Sequence, residues 1–295
     1  MDLKEAIKEK RPQLSGSSIT TYNSILKNVY KKVFGENTDI DCKKFEEAEK
    51  ILEHLKDLPP NRRKTILSAL VIITDDNKKY KDLMMSDISS YNKEIGKQEK
   101  SETQEENWIN TPQIKEVWED LKKNADLLYK KKELKPADLQ QIQSYIIVSL
   151  LGGVFVPVRR SKDFCDFVIV NPDKEKENYL EKNKMYFNSY KTAKFYGKQE
   201  LSVPKPLMSI LKKWISVNPT KYLLFDTNMN KLTNVKLNQR FNKIFGDKKI
   251  SVNNMRHTYL TDKFGDTIAK NKEIDKVMGD MGSSKSMLIN YVKED

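Results

Sequence analysis

The stretch KPADLQQIQSYIIVSLLGGVFVPVRR, residues 135–160, constrains this chain more than any other. Its apolar density rises towards the end until no polar face is left, which marks a buried core helix that Gly152 and Gly153 end. Beyond it the periodicity changes. DFVIV (166–170), KMYFNSY (184–190) and QELSVP (199–204) read as three short strands. KPLMSILKKWISV, KLNQRFNKIFG and VNNMRHTYLTDKF then return to helical spacing. This half is expected to be α+β, mainly helical with a small antiparallel sheet.

The N-terminal part carries helical signals only. SGSSITTYNSILKNVYKKVFG offers Ser and Thr caps, apolar residues from Tyr22 to Val33 at helical spacing, and Gly35 as a stop. DCKKFEEAEKILEHLKDL and PPNRRKTILSALVIITD add two more helices, the second opened by prolines. NKEIGKQEKSETQEENW (92–108) is polar and without apolar periodicity, so it reads as a linker or a charged helix end. The expected organisation is a helical domain over 1–100 and a second domain over 101–295.

Lys and Arg number 54 against 42 acidic residues, a net charge of +12, which favours a polyanionic partner such as nucleic acid or an anionic membrane surface. No apolar run approaches a membrane span, and MDLKEAIKEKRPQ has no secretory apolar segment, so the expected location is intracellular. Two cysteines and two histidines provide no zinc-binding spacing, and no GxxxxGK[ST] or GxGxxG is present. No cofactor is therefore expected. The charge run DKEKEN (173–178) reads as a solvated loop.

NSYKTAKFYGKQELSVPKPL (188–207) reads as a short hairpin with a tight Tyr-Gly-Lys turn, preceded by Lys191 and Lys194. It completes a set that follows in chain order: Arg159 and Arg160 in VPVRRSKDF, Lys191, Arg256 in VNNMRHTYL, and Tyr291 in MLINYVKED. Taken singly, each is more simply a solvated cation or, for Tyr291, an aromatic on a docked C-terminal helix. Together they are what cleavage of a phosphodiester by a tyrosine requires. Two guanidiniums offset charge at phosphorus, an ammonium protonates the departing oxygen, and a phenol forms the covalent link.

The order PVRRSKDF, YKTAKFYG, MRHTYL, MGD, NY resembles the tyrosine recombinase (phage-integrase-like) family, particularly the recombinases of large DNA viruses and virophages. The resemblance covers nearly the whole chain, best from about residue 107. It implies a two-domain DNA clamp and strand exchange through a 3′-phosphotyrosyl intermediate. It further implies a homotetramer joining two double-stranded DNA sites, and integration or excision of a mobile or viral genome in the host nucleus or a viral factory.

The resemblance implies Tyr291 as nucleophile, Lys191 as general acid, Arg256 as the second arginine with His257 beside it, and Arg160 as the first, with Arg159 as fallback. Asn253 stands where the family often has His or Lys. Asp280 stands where it usually has His or Trp; counting back from Tyr291 puts Gly282 there instead. Lys194 is expected to contact backbone phosphate, as are Arg62, Arg63 and Lys64 of NRRKT in the first domain. A type IB topoisomerase uses a similar set, and a recombinase-derived DNA-binding protein that no longer cuts is the alternative from another class.

Overall fold

The computed structural model describes residues 2–35, 40–246 and 248–293. The chain divides into two compact units, Met1–Glu99 and Lys100–Asp295. It is mainly α-helical, with one small sheet in the second unit. No helix among the described residues is long and apolar enough to cross a membrane.

The first unit holds α1 (Leu3–Lys10), α2 (Gly16–Phe34), α3 (Ala48–Leu55), α4 (Pro60–Ile73) and α5 (Lys78–Gly96). Ser15 caps α2 by accepting from the Ser18 N–H, and Gly35 leaves it at φ 94°, a conformation that favours glycine. A single 3₁₀ turn, Cys42–Glu46, precedes α3, so the expected 18-residue helix there is shorter and split. Leu26, Phe45, Ile51, Leu55, Leu67, Leu70 and Tyr80 fill the core, and the Tyr80 hydroxyl donates to the Phe45 carbonyl at 2.7 Å.

In the second unit α6 (Glu102–Glu106) and α7 (Thr111–Leu128) lead into α8 (Pro136–Leu151), the helix expected to be buried. Twelve of its residues are inaccessible to solvent. Its polar members are satisfied internally: Ser149 accepts from the Trp118 indole at 2.8 Å, and Gln143 exchanges two 2.8 Å bonds with the backbone of Phe225. Such pairing is what permits polar groups in an apolar helix.

α9 (Ser161–Cys165) follows, then a four-stranded sheet in the order β1 (Phe167–Val168), β2 (Asn178–Glu181), β3 (Lys184–Phe187), β4 (Gln199–Ser202), with α10 (Ala193–Tyr196) between β3 and β4. The sheet is mixed rather than wholly antiparallel, because β1 pairs with β2 in parallel while β2, β3 and β4 run antiparallel. β2 starts inside the charged run expected to be a solvated loop. Asn178 is fully buried, and its side chain donates to the Asp163 and Ser189 carbonyls and accepts from the Asn188 and Ser189 N–H groups, at 2.8 to 2.9 Å. Lys182 and Asn183 turn β2 into β3 with positive φ at both positions, the primed turn that suits a twisted hairpin.

α11 (Lys205–Val217), α12 (Asn234–Ile244), α13 (Val252–Asp280) and α14 (Leu288–Tyr291) complete the unit. Phe164, Phe167, Phe187, Trp214, Phe225 and Phe241 form its aromatic core. α13 is longer than the VNNMRHTYLTDKF segment expected to be helical, and beyond Tyr259 it is mostly exposed. α14 is a single exposed turn rather than a docked terminal helix.

Candidate functional site

A cleft of about 220 Å³ opens in the second unit, lined by Val158, Arg159, Arg160, Asp163, Tyr190, Thr192, Tyr196, Gln199 and Arg256. Three parts of the chain meet there: the α8–α9 connection, the β3–β4 connection and the first turns of α13.

Gly153 brings the first and third parts together: at φ 74°, a Cβ there would lie 2.7 Å from the Tyr259 ring, so only a glycine lets α13 approach so closely. Gly152 is confined instead by its own helix, where a Cβ would lie 2.6 Å from the Val148 carbonyl oxygen. The start of α13 is fixed by a reciprocal cap between Ser251 and Asn254, by buried Val252 and Met255, and by the Thr258 hydroxyl donating to the Ile109 carbonyl at 2.6 Å. Arg256, one turn before Tyr259, is thereby set against Arg159 and Arg160.

The arginines differ in their surroundings. Arg159 donates from Nε to Asp163 Oδ2 at 2.8 Å and from Nη1 to Gln199 Oε1 at 3.0 Å, while its guanidinium lies 3.8 Å from the Phe187 ring centre. Arg160 occupies the residue before α9, and neither its guanidinium nor that of Arg256 has a hydrogen-bond or ion-pair partner among the described residues. Burial holds the Arg256 guanidinium below its ordinary range, and repulsion from Arg160 adds to this. Arginine stays charged regardless.

Asp163 is the counterweight. Its Oδ1 is buried without a hydrogen-bond partner, and burial pushes the carboxyl above the usual carboxylate range, opposed by the nearby charges of Arg159, Arg160 and Arg256. Three guanidiniums against one carboxylate leave the cleft strongly cationic. Two unpaired guanidiniums beside each other are a built receptor for a tetrahedral oxyanion, since each can donate paired hydrogen bonds to it.

The other residues singled out in the sequence fall as follows. Lys191 and Lys194 are exposed in the β3–β4 connection and do not line the cleft. That connection, residues 188–198, is not the tight turn expected but a longer loop with α10 inside it. Asn253 Nδ2 and His257 Nε2 lie 3.1 Å apart on an exposed face of α13, Asn253 one turn before Arg256 and His257 next to it in the chain. Asp280 is exposed at the end of α13, and Gly282 just beyond it has φ 67°. Tyr291 ends α14, 59% exposed and outside the cleft lining.

In the first unit Arg62 is exposed, whereas Arg63 makes a two-bond pair with buried Asp87 and Lys64 lies 3.0 Å from the Tyr91 ring centre. Sequence reasoning missed Tyr190, Thr192, Tyr196 and Gln199 as cleft residues. The aromatics interleaved with lysines in YKTAKFYGK were the available signal.

No family model matches the chain, and no curated protein matches it. Among solved structures it is similar to a XerA recombinase, at 13% identity and a TM-score of 0.35, over 89% of this chain and 84% of that one.

Proposed function

We propose that the protein is a DNA strand-breaking and rejoining enzyme of the tyrosine recombinase type. The observation that carries the reading is the convergence of Arg160 and Arg256, distant in sequence, in one cleft with neither guanidinium paired. The cleft suits the scissile phosphate. Its non-bridging oxygens would accept from Arg160 and Arg256, while Arg159 keeps Asp163 neutralised and the first guanidinium in place.

In this reading the Tyr291 hydroxyl gives its proton to solvent and attacks phosphorus, the bond to the 5′ oxygen breaks, and Lys191 gives that oxygen its proton. Reversal by the 5′ hydroxyl of a second strand completes the exchange, and the phosphotyrosyl link conserves the energy of the broken bond. In the same reading His257, beside Arg256 and hydrogen-bonded to Asn253, would donate to that phosphate from α13. The first unit would add phosphate contacts of its own through Arg62. A homotetramer on two sites, integration or excision of a mobile or viral genome, and DNA association inside the cell belong to the same reading.

The test is capture of a covalent protein–DNA adduct on denaturing gels. Supercoiled plasmid carrying the sequences that flank the gene is incubated with wild type and with Tyr291→Phe. An adduct with the wild type alone is expected. Cleavage retained by Tyr291→Phe overturns the assignment of the nucleophile, and relaxation without joining of two sites identifies a type IB topoisomerase instead.

One observation favours a second reading, a duplex-binding protein that does not cut: Tyr291 is absent from the lining of the cleft that would hold its phosphate. Salt-sensitive duplex binding with no adduct on any substrate is the outcome that would select it.

A further inference from the structure

The β3–β4 connection ends the phosphate cleft in an unusual way. Phe195 on α10 is 84% exposed, the most exposed large apolar side chain among the described residues, and its neighbour Tyr196 is 70% exposed. The turn that carries them is braced from below. The Tyr190 hydroxyl donates to the Gly197 carbonyl at 2.7 Å, and the Gly197 N–H closes α10 on the Ala193 carbonyl at 2.9 Å. Gly197 itself sits at φ 62°, ψ −158°, a region that glycine alone occupies readily. An apolar ring presented to water on a pinned turn is a built feature, because nothing in the turn's own packing requires it.

Four neighbours indicate what the ring meets. Thr192, three residues before Phe195 and four before Tyr196, lines the arginine cleft, and so does Tyr196. Lys191 and Lys194 precede the ring on the same connection, both exposed and neither with an ion-pair partner among the described residues. An exposed apolar ring that shares its turn with two free ammonium groups and with two residues of a phosphate receptor matches a nucleotide step, in which charge and base face lie side by side.

We infer that Phe195 is a wedge that stacks on a base next to the phosphate held by Arg160 and Arg256, opening that base step while Lys194 holds the flanking backbone. An apolar side chain inserted in this way unstacks the duplex locally, and a fixed turn delivers the ring without an ordering cost at the moment of binding. The inference rests on the proposed reading of the chain as a duplex-binding protein and adds to it a residue that acts on bases rather than phosphates.

The experiment combines two measurements on the full chain with a fluorescent duplex of the flanking sequence. Affinity is measured against NaCl concentration for wild type and Phe195→Ala, and tryptophan emission is followed for F195W with wild type as the background. Loss of one stacked base is expected to weaken Phe195→Ala about tenfold at every salt concentration. The slope against log salt stays unchanged, because no charge has been removed. F195W emission is expected to be quenched by bound duplex. Affinity equal to wild type with unquenched emission overturns the wedge and leaves the phosphate cleft standing. Weaker binding without quenching also overturns it, since the ring then meets something other than a base, such as a second copy of the chain. A wild type that binds no duplex at any salt overturns both readings.

Discussion

Arg63 in the first unit and Arg159 in the second each hydrogen-bond a buried aspartate, and the difference lies in what is left over. Asp87 has both oxygens occupied by Arg63, at 2.8 and 2.7 Å, and the Arg63 guanidinium also donates to the Lys56 carbonyl. That pair is closed. Asp163 has one oxygen bonded to Arg159 and the other bare, with Arg160 and Arg256 close by and unpaired. An ion pair with matched partners fastens a fold, whereas a surplus of guanidiniums around one carboxylate holds positive charge ready for an anion from outside. The same residue types are therefore closed on one another in one unit and left with surplus charge in the other.

The largest expected effect tests the surplus. Arg160→Ala and Arg256→Ala should each lower adduct formation about 10²- to 10³-fold, the usual loss when one donor to a developing oxyanion is removed. Neither should lower the melting temperature measurably, because each change also relieves repulsion between the two guanidiniums. Calorimetry beside the gel assay checks both halves. A large fall in stability with either variant would place that arginine with Arg63, as a fastener.

The next effect tests the fasteners. Arg63→Ala strands a buried carboxylate and should cost about 3 kcal/mol, the lower end for breaking a buried pair. Arg159→Ala should cost about 1–2 kcal/mol, because two other guanidiniums still face Asp163 while one charge-assisted hydrogen bond and the contact with Phe187 are lost. Urea unfolding of both variants measures the order. Equal costs would mean that Arg160 and Arg256 do not screen Asp163, and the contrast between the two units would fall.

How much of this was legible in the sequence follows from the same contrast. The buried helix 136–151, its glycine stop and the three strand segments carried strong apolar signals, so the layout of the second unit was readable. β2 was not, because only Tyr179 and Leu180 are apolar in it and its anchor, Asn178, is a polar residue whose burial rests on four hydrogen bonds. Hydropathy has no sign for a satisfied amide. The helical turn α10 hid inside a run that alternates like a strand, and the far half of α13 hid because an exposed helix needs no apolar stripe. Among the arginines, spacing alone left Arg159 and Arg160 as alternatives. The i,i+4 geometry from Arg159 to Asp163 appears only once α9 is folded.

The smallest effect uses the two cysteines as reporters, one in each unit. Cys42 is partly exposed in the first unit, and Cys165 is buried on α9, two residues beyond Asp163. In native protein a thiol reagent should therefore label Cys42 alone, with Cys165 reacting only as the second unit opens. Alkaline pH gives the same comparison thermodynamically. Burial pushes the Cys165 thiol up from 9.0 to about 12. Below pH 9 the thiol is protonated whether the chain is folded or not, so it leaves stability independent of pH. Between pH 9 and about 12 the unfolded chain loses the proton and the folded one keeps it. Stability then falls as pH rises, by about 1.4 kcal/mol per pH unit from this group. Cys165→Ala should remove that part of the slope while Cys42→Ala changes it much less, and the difference between the two variants isolates it from the lysines that titrate in the same range. Equal slopes would mean that water reaches Cys165 on α9, the helix that carries Asp163, and guanidiniums beside a helix so hydrated would hold their surplus charge at little cost and with little grip on an anion.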